Sequence, residues 1–198
     1  LNPQGWFEET LYDGPIQIAK DMGIKIIFFG ENSAYEYGKS TELNIFHPKS
    51  TEDSRIIFMG AIYPYSIQDS ISVAKRHGFK DLLQFDDWYR VGGVEQSTQI
   101  DSLGNMVDIW CKFPKFGYQR TSDIACRLVR EGSLSREQAE IHIRDNDYIL
   151  DPKAKYDFCK VLHITDDFFD ATVDTFANPN LVKKDCNGIY RRLDFLNQ

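Results

Sequence analysis

Ile24-Lys25-Ile26-Ile27-Phe28-Phe29-Gly30 is the stretch on which the fold turns. A short, nearly continuous apolar run closed by a glycine reads as a buried strand of the kind found in parallel sheets. Upstream, Pro15 to Met22 reads as a helix, with Pro15 in its first turn and Gly23 ending it. Helix followed by buried strand predicts a partial α/β layer over residues 1–60. One helix and one strand cannot cover both faces of a sheet, so further strands are expected from upstream residues or from another chain. The chain opens Leu1-Asn2-Pro3 without an initiator Met, which reads as a processed product or a piece of a longer protein.

Working outward, Thr41 to Asp53 is polar, contains Pro48 and reads as a loop. Residues 61–198 are predicted to be mainly helical. Ser66 caps a helix that runs from Ile67 to His77 and stops at Gly78. Ser135, with Gln138 three residues on, sets up a capping box. Pro152 opens a further helix at a first-turn position. Thr165 opens another, with Phe169, Val173 and Phe176 at helical spacing before Asn178-Pro179.

Composition narrows the function. The chain has 198 residues and a net charge of −7. That balance argues against broad nucleic-acid binding, although a local cationic pocket for one anionic small molecule is compatible with it. No apolar run approaches a membrane span, and nothing at the start reads as a signal peptide. Cys111, Cys126, Cys159 and Cys186 are widely separated, which disfavours a structural zinc site and fits reduced thiols in a cytoplasmic protein.

Two segments carry candidate chemistry. Gly30-Glu31-Asn32-Ser33-Ala34-Tyr35-Glu36-Tyr37-Gly38 directly follows the strand, where ligands bind in open α/β sheets. Glu31 and Glu36 suit a divalent metal, and Asn32 suits a ligand carbonyl or ribose. A turn cap at Asn32 and a solvated Glu36 account for the same residues. The second segment is Lys112-Phe113-Pro114-Lys115-Phe116-Gly117-Tyr118-Gln119-Arg120-Thr121-Ser122-Asp123. Three cations, a turn glycine and three aromatic rings lead into a helix that Thr121 or Ser122 can cap and Gly132 can end. A cationic loop at the positive end of a helix suits a phosphate. A solvated basic turn with core aromatics explains it equally well. Trp88, Tyr89, Gly92 and Gly93 form either a mobile lid or a packed loop. No histidine accompanies a Ser or Cys in a nucleophile motif, so covalent triad chemistry is unsupported.

These residues carry a family resemblance. Ile24 to Gly38, IKIIFFGENSAYEYG, resembles the post-strand segment of N-acetyl sugar amidotransferases, ATP-pyrophosphatase-type enzymes of bacterial surface-polysaccharide biosynthesis. Lys115 to Asp123, Gly132 to Ala139 and Leu162 to Phe169 are similar to that family's later segments and occur in the same order. GEN-x-x-x-E also resembles, more loosely, a stretch of NAD synthetases. The family's adenylating loop of Ser-Gly-Gly-Lys-Asp-Ser type does not occur in the sequence. The resemblance therefore implies the C-terminal part of an adenine-nucleotide α-hydrolase-like (PP-loop) sheet followed by a mostly α-helical region, with the chain alone inactive.

The implied reaction is conversion of the acetamido group of a UDP-N-acetyl sugar to acetamidino. ATP with Mg²⁺ would adenylate the amide oxygen, and ammonia from a glutaminase would displace AMP. The pathway would be that of an O-antigen, capsule or flagellar glycan. The resemblance assigns Glu31 and Glu36 to the metal, and Glu31, Asn32, Glu36 and Lys112 to the nucleotide. Lys115, Arg120 and Asp123 take the catalytic roles, with Asp123 orienting Arg120 or the substrate. A rival reading from another class is a non-catalytic helical module that docks a glutaminase or a polysaccharide-assembly partner.

Overall fold

The computed structural model describes residues 5–31, 44–63 and 66–196. Asn32 and Glu36 lie outside the described residues. The fold is mixed α/β, about half helical with two small sheets among the described residues. Contacts divide it into two compact units, Leu1–Val73 and Ala74–Gln198.

In the first unit, α1 spans Gly5–Asp21. It begins ten residues before the expected start, so Pro15 lies inside the helix and not in its first turn. Tertiary contacts offset the missing N–H of Pro15. Tyr12, in the preceding turn, stands edge-on to Phe29 at 5.5 Å and stacks on His47 at 5.4 Å. Ile16 and Ala19, beyond the proline, are buried. Gly23 ends the helix as expected, at φ +66, with its N–H donating to the Lys20 carbonyl.

Strand β1 (Ile26–Phe29) pairs in parallel with β2 (Arg55–Phe58), with Ile26 opposite Arg55 and Phe29 opposite Phe58. A 3₁₀ turn over Met59–Ala61 follows β2. The reading of β1 as a buried strand is corrected. Ile26 and Phe28 are 52% and 57% exposed, whereas Ile56 and Phe58 of β2 are buried. Tyr12 and His47 cover the face bearing Phe29, and the other face has no such cover among the described residues. The described part of the polar loop is pinned to the sheet: Phe46 bridges Ile57, and the His47 N–H donates to the Ile56 carbonyl.

Helix α2 (Ile67–Arg76) follows Ser66, whose hydroxyl accepts from the Asp69 N–H as a cap. The second unit continues with α3 (Leu82–Asp86), α4 (Leu103–Trp110), α5 (Lys112–Phe116), α6 (Arg120–Arg130), α7 (Arg136–Asn146), α8 (Pro152–Val161) and α9 (Asp166–Phe176). It closes with β3 (Val182–Lys184), β4 (Tyr190–Arg192) and the single turn α10 (Leu193–Leu196). The antiparallel β3–β4 hairpin is an addition to the helical region read from the sequence.

The signals at helix starts act as their chemistry requires. Ser135 and Gln138 form a reciprocal capping box on α7, and the Thr165 hydroxyl caps α9. The core of this unit is built by α4, α8 and α9, with Met106, Val107, Trp110, Ala154, Cys159, Phe169 and Val173 buried together. Trp110 stacks on Phe169 at a 6.4 Å centroid distance, and Phe158 meets Phe169 edge-on at 5.9 Å.

Candidate functional site

The basic segment is not an open loop. Residues Lys112–Phe116 form α5, closed by Gly117 at φ +74, whose N–H donates to the Phe113 carbonyl at 2.8 Å. Phe113 and Pro114 are buried, which pulls the segment into helical geometry and leaves its cations on the surface.

The start of α6 also differs from the sequence reading. Neither Thr121 nor Ser122 caps it; the N-cap is Gln119, without a side-chain cap of its own. The cap comes from the end of α7. The buried carboxylate of Asp147 accepts from the Gln119 N–H at 3.1 Å and the Ser122 N–H at 3.0 Å. It also accepts from the Ser122 hydroxyl at 2.8 Å. The orphan donors expected to bind a phosphate are thus held by the protein's own anion. Burial raises the pKa of Asp147, against the hydrogen bonds from Ser122 and Gln119 that favour the carboxylate.

Thr121 instead donates to the Gly92 carbonyl at 2.9 Å and helps to fasten the segment from Arg90 to Gln99. The guanidinium of Arg90, itself buried, is the post around which that segment folds. Its Nη1 donates to the Thr98 carbonyl at 2.9 Å, and its Nη2 to the Glu95 carbonyl at 2.8 Å and the Glu95 carboxylate at 2.9 Å. The Glu95 carboxylate further accepts from the N–H groups of Ser97 and Thr98. At the other end, the Val91 N–H donates to Asp151, the carboxylate that caps α8. Gly92 has φ +75, and a Cβ there would stand 2.4 Å from the Ile149 carbonyl oxygen. Of the two sequence readings for Gly92 and Gly93, the structure gives the packed loop.

A pocket of about 40 Å³ opens between this loop and the start of α6. Arg90, Gly92, Glu95, Arg120, Ile149 and Asp151 are among its lining residues. Arg120 donates through Nη2 to the Thr98 hydroxyl at 3.1 Å, while its buried Nε has no partner. Burial, then the neighbouring Arg127, push its pKa below the ordinary arginine value, and Glu95 and Asp123 oppose the shift. The guanidinium remains a cation, with one donor unused at the pocket.

The other sequence-derived residues lie elsewhere. Lys112 pairs with Asp123 at 3.8 Å, and Asp123 also acts electrostatically on Arg120, the residue it was expected, with the substrate as the alternative, to orient. Lys115 stands over the Phe176 ring at 4.8 Å. Glu31 belongs to the first unit, just beyond β1, and its carbonyl accepts from the Gly60 N–H. Among the described residues no three His, Cys, Asp or Glu side chains gather as a metal site. All four cysteines are free; burial raises the Cys111 thiol to about 11, and Cys126 and Cys186 are exposed.

Sequence reasoning missed Arg90, Glu95 and Asp147. A signal for Asp147 was present: an acid at the C-terminus of a helix opposes the macrodipole and needs a donor elsewhere. Arg90 and Glu95 carried no such mark.

No helix among the described residues is long and apolar enough to cross a membrane. No curated relative matches the chain. A family model described as LPS biosynthesis protein WbpG-like, C-terminal domain, matches residues 85–195, which include the Arg90–Gln99 loop, the pocket and α4 to α9. That match covers more than half of the chain, and the chain therefore belongs to the WbpG-like family of LPS biosynthesis proteins.

Proposed function

We propose that this chain is the C-terminal part of an ATP-dependent amidotransferase that converts the acetamido group of a nucleotide-activated N-acetyl sugar to acetamidino, with ammonia supplied by a glutaminase. The observation that carries the reading is Arg120, a desolvated guanidinium with an unpartnered buried Nε at a pocket inside the matched family region. A preorganised donor in a water-poor site stabilises charge that develops on a substrate oxygen. The small volume suits one group of the substrate and not a whole nucleotide.

In this reading the Asp147 cap and the Arg90–Glu95 loop hold Arg120 in place, and the exposed Lys112 and half-buried Lys115 are cations of the preceding helix. The exposed Ile26–Phe28 face supports a sheet that continues into an ATP-binding PP-loop layer. Of the metal pair Glu31 and Glu36 only Glu31 is described, and the described residues do not assemble a Mg²⁺ site.

The test is AMP release from sugar nucleotide, ATP, Mg²⁺ and ammonia by the enzyme that contains this chain together with an adenylating loop. Arg120→Ala is expected to lower kcat/KM by about 2–4 kcal/mol of transition-state stabilisation, as when one preorganised donor is lost. Unchanged kcat/KM would refute the role of Arg120, and no AMP release by the unsubstituted enzyme would refute the reaction. The second reading, a non-catalytic docking module, draws on Tyr156, Val161 and Phe168 of α8 and α9, each more than 60% exposed. Thermal stabilisation by the sugar nucleotide separates the two, because only a ligand that binds the folded state raises Tm.

A further inference from the structure

Arg120 reaches the Arg90–Gln99 loop at Thr98, across 22 positions of sequence. Thr98 is itself held on three sides. Its N–H donates to Glu95 Oε2 at 2.7 Å, its carbonyl accepts from Arg90 Nη1 at 2.9 Å, and its hydroxyl donates to Glu95 Oε1. The side chains of Arg90 and Glu95 are 9% and 14% exposed, so these bonds lie away from water. A side chain that meets the Thr98 hydroxyl meets an oxygen whose place is already fixed.

The direction of each bond follows from the groups present. A carboxylate paired with a guanidinium only accepts, so the Thr98 hydroxyl gives its one proton to Glu95. Its lone pairs are then left for Arg120, whose Nη2 donates to it at 3.1 Å. Glu95 takes four donors: Arg90 Nη2, the N–H groups of Ser97 and Thr98, and the Thr98 hydroxyl. That matches the number a carboxylate can accept. Glu95 therefore acts on Arg120 through its charge, and the hydrogen bond comes from Thr98. A guanidinium is planar and rigid, so a nitrogen anchored on a fixed oxygen sets where the other donors point. The partner on Nη2 is neutral, which leaves the charge of Arg120 uncancelled, with its buried Nε unpartnered at the pocket.

We infer that Thr98 is a positioning residue: its hydroxyl, oriented by Glu95, sets the Arg120 guanidinium so that Nε faces the pocket. Its part in turnover rests on the catalytic reading of Arg120, whereas the placement of Nε stands on the geometry alone.

The experiment follows the Arg120 Nε–H proton of the 198-residue chain in proton–nitrogen correlation spectra, the signal being the one that Arg120→Lys removes. Thr98→Val and Thr98→Ala remove the hydroxyl and leave the backbone bonds of that residue available. Each is expected to speed exchange of the proton with water by about tenfold, the scale of one hydrogen bond to a charged group. Thr98→Ser retains the hydroxyl and should restore slow exchange. In the enzyme that contains this chain together with an adenylating loop, Thr98→Val should lower kcat by about tenfold with little change in KM, as for a displaced transition-state contact. Thr98→Ser should recover that loss. Equal exchange in the unsubstituted chain, Thr98→Val and Thr98→Ala would overturn the inference, and so would a Thr98→Ser protein as impaired as Thr98→Val. Full turnover by Arg120→Ala would instead overturn the catalytic reading of Arg120, with the exchange rates still deciding whether Thr98 places Nε.

Discussion

The two units of this protein treat their apolar residues in opposite ways. The first leaves Ile26 and Phe28 of β1 exposed, together with Ile18 of α1 and Met22 just beyond it. The second collects Val107 and Trp110 of α4, Ala154 and Cys159 of α8, and Phe169 and Val173 of α9 into one core. Strands bury a face only when a second layer lies on it, whereas helices with apolar stripes can bury those stripes against one another. The helical unit can therefore complete its core from its own sequence, and a two-stranded parallel sheet cannot. The family match at residues 85–195 falls wholly within the unit that is complete.

The largest effect that would break this comparison is a core truncation in the second unit. Phe169→Ala removes a ring buried against Trp110 and Phe158 and should cost about 3–5 kcal/mol, the usual range for a buried aromatic replaced by alanine. Urea unfolding followed by far-UV circular dichroism measures it. A cost below about 1 kcal/mol, as for a surface position, would mean that the helical core is not the cooperative unit described here. Residues 74–198 expressed alone should show one cooperative transition for the same reason.

The next effect tests how the loop that shapes the pocket is held. Gly92→Ala would place a Cβ 2.4 Å from the Ile149 carbonyl oxygen at a backbone angle that L-residues avoid. The Gln119 side-chain amide also approaches that carbonyl, at 3.4 Å, and the carbonyl cannot simply swing away. A loss of about 2–3 kcal/mol is expected from the clash and strain together. Thermal melting checks it, and an unchanged Tm would show that the loop yields and is the mobile lid.

Asp147 supplies the third prediction, through pH. Its folded-state pKa is raised by burial, so between the ordinary carboxylate range and that raised value the native state holds more protons than the unfolded state. Stability contributed by this group therefore falls as pH rises across that window. Asp174 and Asp185 have lowered values, through Lys184 and through the Ile189 N–H respectively, and their contributions are lost as pH falls. Asp147→Asn removes only the first effect. The advantage of the native residue over Asn should shrink as pH rises above the ordinary carboxylate range, the side on which a raised group titrates. Denaturant titrations at several pH values measure the difference. An advantage that grows with pH would require a lowered pKa at Asp147.

What could be read from the sequence follows the range of the forces involved. Gly23, Ser66, the Ser135–Gln138 box, Pro152 and Thr165 act on their own turns, so their identities placed the helix ends. The hairpin, Asp147 on α6 and the Arg90 post depend on contacts between residues that are remote in the chain or bring no local pattern with them. Asp147 reaches Ser122 across 25 positions. The helical form of the basic segment escapes the sequence for the same reason, although Phe113 is the core aromatic that one of its two readings supplies. Burial of Phe113 and Pro114 made a helix of it, and a carboxylate from another helix took the donors that a phosphate was expected to use.

The smallest effect sharpens the comparison most. Phe28→Thr replaces an exposed ring on a strand by a β-branched polar residue with good strand propensity. Little buried area is lost, so the change should move the stability of this chain by no more than about 0.5 kcal/mol, as at an ordinary surface site. The parallel register with Ile57 leaves the backbone ladder intact, which removes the other usual source of loss. Apolar dye binding by the chain should fall at the same time, because the substituted ring lies on its exposed face. The same substitution should cost more than about 1.5 kcal/mol in a longer protein whose additional segments cover that face, since a fully buried aromatic would then be removed. Unfolding curves of Phe28→Thr in the two lengths of chain are the measurement. A large loss in the short chain would show that the face is already covered and would erase the contrast between the units. Equal, negligible losses in both would show that the sheet ends at β1.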